Sequence, residues 1–240
     1  MMNYQMHRRK AFQRKDPYWD NVALYLPMTG ANGSTVFTDV SKYGHTVTRN
    51  GGAIISTAQA PALAGVGSSG YFDGSGDSLS VTYSSLLDLT TSNFTIEFWV
   101  RTADISTGRF ILDMYRSSLI STGLVIVQPA AAPSKVRIAC GDSNTTQFEV
   151  DITSSSSIST SAWSYVAAIR SGSTFSLYVN GALEGSSIWA GTINISASNV
   201  TIGSATGGSL GFLGYLSHLR ITKGIARDVS VVPTAPFPIG

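Results

Sequence analysis

The chain has 240 residues, 43% of them hydrophobic and only 12% charged, about half the charged share of an ordinary soluble domain. A net charge of +2 hides an asymmetry: residues 1–16 hold Arg8, Arg9, Lys10, Arg14 and Lys15 against Asp16 alone, +4, so the remainder carries −2. A single cysteine, Cys140, excludes an internal disulfide, no run approaches the roughly 18 apolar residues of a membrane span, and no apolar segment follows the basic N-terminus as in a secretory signal.

Residues 1–17, closing on Asp16-Pro17, read as a basic arm with no strand pattern and too little apolar surface to fold alone. Such an arm either lies across its own domain or is held by a neighbouring subunit. Five basic residues are a weak nucleic-acid signal, and no nucleic-acid or membrane partner is expected.

The body, residues 18–240, takes its strands in order. Asn21–Met28 begins as a strand that Pro27 ends or leaves at an edge. Gly30 and Gly33 open a turn leading into a short strand within residues 30–39. Lys42–Asn50 and Ala53–Thr57 follow, parted by the turn signal Asn50-Gly51-Gly52. Residues 58–70 are a loop of small residues, and 70–77, GYFDGSGD, read as a turn before a strand at Leu79–Val81.

Asn93–Arg101, NFTIEFWVR, sets Phe94, Ile96, Phe98 and Val100 at every second position, with Thr95, Glu97 and Trp99 between them. Period-two alternation of β-branched and aromatic residues predicts a central strand. Arg109–Tyr115, Leu119–Gln128, Ser134–Cys140 and Phe148–Ile152 are further strands. Trp163–Arg170, Phe175–Val179 and Ala182–Ser187 form a meander whose Asn180-Gly181 step suits a tight type I′ hairpin. Val200–Ile202 and Phe212–Thr222 come last; Leu216 is out of phase with Leu219 and Ile221, which predicts a bulge near Ser217 and His218. Pro233, Pro236 and Pro238 keep the C-terminus extended. Short strands joined by Gly- and Ser-rich turns, with no helical periodicity, predict an all-β, two-sheet antiparallel jelly-roll sandwich.

GYFDGSGDSLSV (70–81), FTIEFWVR (94–101), WSYVAAIRSGSTFSLYVNG (163–181) and GYLSHLRITKGIAR (214–227) together resemble the laminin-G-like, concanavalin A-like jelly-roll superfamily. DPYWDNV at 16–22, ITKGIAR at 221–227 and PTAPF at 233–237 are similar to domains of tailed-bacteriophage virion proteins. The resemblance implies a non-enzymatic virion protein, of head or tail, assembled in the bacterial cytoplasm. Its arm residues Arg8, Arg9, Lys10, Arg14 and Lys15 would contact other virion proteins within a homo-oligomer. The alternative it implies is a carbohydrate-binding module for host surface glycans. Relatives often carry acidic residues where Ser217 and His218 stand, and an Asp at the position of Thr29. If those carboxylates support a calcium site, this chain lacks part of it.

A glycosidase needs two carboxylates roughly 5–9.5 Å apart, and the chain has three glutamates, Glu97, Glu149 and Glu184, with no E-x-D-x-x-E run. No enzyme activity is expected. Glu97 falls on the strand face opposite Phe94 and Phe98, either lining a concave face beside Trp99 or paired with Arg101 or Arg220. Glu97, Trp99 and Tyr178 are the candidate glycan contacts; Trp189 and Tyr215 are further aromatics of the same kind, although large aromatics in sandwiches commonly fill the core. No cofactor is expected. For calcium, which takes about six to eight oxygens, Asp73 and Asp77 are the candidates, against plain turn chemistry beside glycine. Cys140 follows Val136 and Ile138 at strand spacing and reads as a buried small hydrophobe.

Overall fold

The computed structural model describes residues 15–114, 122–142, 148–195 and 198–240. Its strands are β1 (Val22–Leu26), β2 (Val47–Asn50), β3 (Ile54–Ser56), β4 (Ser69–Asp73), β5 (Ser78–Val81), β6 (Phe94–Thr102), β7 (Arg109–Met114) and β8 (Thr122–Gln128). They continue with β9 (Arg137–Asp142), β10 (Val150–Thr153), β11 (Ser164–Ser171), β12 (Thr174–Val179), β13 (Ala182–Ile188), β14 (Val200–Ile202) and β15 (Leu213–Lys223). Single 3-10 turns at Trp19–Asn21 and Ser85–Leu87 are the helical elements among the described residues.

These strands form two antiparallel sheets, as the alternation and turn signals predict. The eight-stranded sheet runs β13-β12-β11-β6-β15-β4-β3, with β1 also paired to β15. The seven-stranded sheet runs β10-β9-β8-β7-β14-β5-β2. Phe94, Ile96, Phe98 and Val100 of β6 are fully buried between the sheets, against Leu79, Ile126, Ile138 and Ile202 from the other layer. Cys140 lies in the same core, paired across to Leu124 and Val150, and burial pushes its thiol far above the usual range. Asn180 and Gly181, at φ 50° and 80°, close the β12–β13 hairpin as two residues in the left-handed region, the geometry of a type I′ turn.

The bulge in β15 decides which side chains face out. Register slips between Ser217 and Arg220, with His218 at φ 51°. One extra residue reverses the alternation, so Leu216, Leu219 and Ile221 all reach the core while Arg220 turns outward opposite Glu97.

Two expectations are corrected. Residues 30–39 hold no strand. Gly33 and Ser34 bond Ile55 in both directions (2.8 Å each), and then the Asp39 carboxylate captures the amides of Tyr25, Ser41 and His45 at 2.8–3.0 Å. A side-chain acceptor has displaced the ladder. Residues 69–73 are a strand, not part of a turn, because β15 and β3 flank them. The Asn50-Gly51-Gly52 turn forms as expected, and because β2 and β3 belong to different sheets the chain crosses the sandwich there. The β4–β5 connection crosses beside it, and buried Asp77 joins the two, accepting from the amides of Gly52 and Asp73. Gly51, at φ 67°, allows this approach; a Cβ there would lie 2.5 Å from the Gly76 carbonyl oxygen. The expected strands at Arg109–Tyr115 and Leu119–Gln128 extend in part beyond the described residues.

Candidate functional site

The two outer faces of the sandwich differ. On the eight-stranded sheet, the outward residues of β6, β11 and β1 (Trp99, Tyr165, Ala167, Ile169, Val22, Tyr25) are covered by Leu63, Val229 and Phe237 in a second apolar cluster. Beneath that cover four charges meet. Asp16 accepts both Arg227 Nη1 (3.0 Å) and Nη2 (2.8 Å), and Arg220 Nη1 at 2.8 Å. Glu97 Oε1 accepts Arg220 Nε and Nη2 at 3.0 and 2.8 Å, and its Oε2 accepts the Tyr165 hydroxyl. Burial above all, then the Glu97 charge, pushes the Tyr165 phenol far up, so it stays a donor. The side chains of Asp16 and Glu97 are 1% and 2% exposed. Phe237 stacks on the Arg220 guanidinium at 3.9 Å and Tyr18 on that of Arg227 at 5.2 Å.

This geometry overturns Glu97 and Trp99 as surface glycan contacts. Alternation does put them on the outer face, but residues 225–237 lie over it, and Glu97 is matched to Arg220 in the interior rather than at the surface. Tyr178 is half-buried against the same cover. Tyr215 is half-buried too, ring to ring with Tyr71 at 4.9 Å, and Trp189 packs on Phe175 of the main core at 6.1 Å. Asp73 and Asp77 are drawn into turn chemistry: Asp73 accepts the Ser75 amide at 2.7 Å and Asp77 bonds the crossing strands. No group of three acidic, histidine or cysteine side chains poised for a metal occurs among the described residues. Of the arm, Arg8, Arg9, Lys10 and Arg14 lie outside the described residues; Lys15 is exposed, and Asp16 belongs to the body.

The seven-stranded sheet carries a groove of about 830 Å³ on its outer face, within the size range of small-molecule sites. Two cross-strand rows run beneath it, with Ala139 fully buried under the groove. Asp113, Val125, Ala139 and Asp151 stand opposite one another across β7, β8, β9 and β10; Phe110, Val127, Arg137 and Thr153 form the next row. Pro129–Ala132 and Ala205–Leu210 rise on either side. Arg137 forks to Asp151 at 2.7 Å through both Nε and Nη2, and lies 5.6 Å from the half-buried Phe148 ring. Asp113 accepts the Thr206 amide at 2.6 Å. The two carboxylates sit three strands apart, about 14 Å at ~4.8 Å per strand, too far to act as a glycosidase pair. Sequence reading missed this site, although Leu124-Val125-Ile126-Val127 carries the signal: a strand apolar on both faces needs cover on both or lines an apolar groove.

Replacing Arg227 with Ala leaves Asp16 buried with one of its two guanidinium partners. We expect a loss of roughly 3 kcal/mol in urea unfolding and faster proteolysis within residues 225–240. His218, buried beside Tyr25 and Phe237, supplies a pH dependence. Burial first, then Arg220, lowers its pKa from 6.5 to about 4. Between these values the unfolded chain binds a proton that the native state refuses, so stability is full above pH 6.5 and falls by about 3 kcal/mol down to pH 4. Urea midpoints measured from pH 7 to 4 should show this fall, and His218→Asn, which tolerates the left-handed backbone, should flatten it.

Comparison with known proteins supports this architecture. A laminin-G model described as the concanavalin A-like lectin/glucanases superfamily matches residues 73–227. No curated protein matches the chain. Among solved structures, the binding domain of Paraclostridial Mosquitocidal Protein 1 is 16% identical with a TM-score of 0.66, covering 89% of this chain and 51% of its own. The binding domain of botulinum neurotoxin DC is similar in two complexes. With rat synaptotagmin II it is 16% identical at TM-score 0.60, covering 88% and 50%; with SialylT it is 17% identical at 0.61, again covering 88% and 50%. The chain thus spans about half the length of these structures, and at such identity the likeness is one of fold. With the family model matched across well over half its length, the chain belongs to the concanavalin A-like lectin/glucanase superfamily.

Proposed function

We propose that the protein is a non-enzymatic, lectin-like binding domain whose recognition surface is the groove on the seven-stranded sheet. One observation carries this reading: the eight-stranded sheet is covered by the chain's own C-terminal segment, whereas the opposite face presents an 830 Å³ concavity floored by aliphatic and phenyl side chains. Sugars offer C–H faces to such a floor and hydroxyls to a polar rim, here Asp151, Arg137 and Thr206. The botulinum domain solved with SialylT supplies precedent at the level of fold. Against hydrolysis stand the ~14 Å between Asp113 and Asp151 and the pairing of Glu97 and Asp16 to arginines. A glycan array probed with the full chain is the test. Phe148→Ala should weaken binding about tenfold or more while leaving the melting temperature within a few degrees, taking the loss of an aromatic platform on the scale of base stacking, about 1–3 kcal/mol. Binding to no glycan would sink the proposal.

The setting we propose is the particle of a tailed bacteriophage, with Arg8, Arg9, Lys10, Arg14 and Lys15 contacting neighbouring virion proteins. A specific observation favours it: DPYWDNV, ITKGIAR and PTAPF, the segments similar to virion domains, converge on one ion cluster through Asp16, Arg227 and Phe237. The chain therefore enters the body on the face opposite the groove, an arrangement that suits anchoring on one side and recognition on the other. Deleting residues 1–14 should abolish incorporation into particles and leave glycan binding unchanged; a truncated chain that still incorporates would refute the arm's role.

A further inference from the structure

Resting on the lectin-like reading, we infer that the groove selects a neutral glycan bearing methyl groups, from acetamido or 6-deoxy sugars, and rejects sialylated or uronic-acid glycans. Charge is the first argument. Two guanidiniums line the groove, and each is already held by a carboxylate of the same domain. Arg109 gives Nε and Nη2 to Asp104 at 3.1 and 2.6 Å and Nη1 to the Gly211 carbonyl at 2.6 Å. Arg137 gives Nε and Nη2 to Asp151. A carboxylate on the ligand would compete with partners tethered at ideal distance, and the row beneath it ends in Asp113 on one side and Asp151 on the other. Like charges at close range oppose such a ligand.

The floor is the second argument. The half-buried Phe110 and Phe148 pack over Val125 and Val127, which are only 4% and 6% exposed, and Leu210 and Pro129 line the groove with them. None of these side chains can pair a hydroxyl, so a sugar hydroxyl pressed onto them gives up water and gains nothing. A methyl group in the same place loses only apolar contact with solvent. Acetamido and 6-deoxy sugars supply such methyls without charge, and the rim pairs their remaining hydroxyls.

The experiment measures binding of the full chain to three immobilised sets: N-acetylhexosamine and 6-deoxyhexose oligosaccharides, their uncharged 2-hydroxy or 6-hydroxy counterparts, and sialylated oligosaccharides. The methyl-bearing set should bind about tenfold or more tightly than its counterparts, the discrimination one methyl-sized group gives in an apolar pocket. Phe110→Tyr keeps the half-buried ring and adds a hydroxyl to the groove lining; it should narrow that ratio with little change in melting temperature. Preference for the sialylated set, lost in Phe148→Ala, would overturn the selectivity while leaving the lectin reading intact. Binding insensitive to both groove variants would overturn the site, and the selectivity with it.

Discussion

Asp16 and Arg227 are 211 positions apart in the chain and meet in a two-toothed ion pair beneath the protein surface. Arg220 and Glu97 complete the cluster, two positive and two negative groups, each facing the opposite sign. Removing four charges from water carries a large desolvation cost, offset only because every fork is filled: Arg227 Nε reaches Thr222 Oγ1 at 2.8 Å, and Tyr165 caps the last Glu97 oxygen. Such a cluster is unforgiving of rearrangement, and that property gives it architectural weight. It holds the start of the described chain and the segment after β15 onto the same sheet.

The consequence is an asymmetric sandwich. With residues 225–237 and the loop at 61–66 lying over the eight-stranded sheet, the ladder Trp99–Tyr165 and its neighbours become interior. Thr234 accepts the Ala64 amide at 3.0 Å, stitching the two covering segments to one another. Over the seven-stranded sheet only the half-buried Phe110 and Phe148 pack on Val125 and Val127, and the groove opens above them. The β15 bulge is part of the same device. Without the extra residue at His218, Arg220 would point between the sheets, a position where a guanidinium has no partner, and Glu97 would lose its two-toothed arginine.

Local chemistry made most of the fold legible. The alternation in Asn93–Arg101 became β6, the Asn180-Gly181 hairpin formed as read, and the broken phase at Leu216–Leu219 was a true bulge. Errors arose where a distant partner replaced a local signal. Asp39 pulled residues 30–39 out of any ladder by capturing the Tyr25 amide, and β3 and β15 drew residues 69–73 into a sheet where the glycines of 70–77 read as a turn.

The candidate site was less legible than the fold, and for one reason. Alternation reports that Glu97 and Trp99 share a face, and that Val125 and Val127 share another, but it carries no information on which face something else will cover. The sequence by itself determined most of the strands and their phases, the family and the neutral, low-charge surface. Only the tertiary structure decided that Asp16 and Arg227 meet, because no local rule couples residues 211 apart. That meeting closes one sheet and leaves the other open.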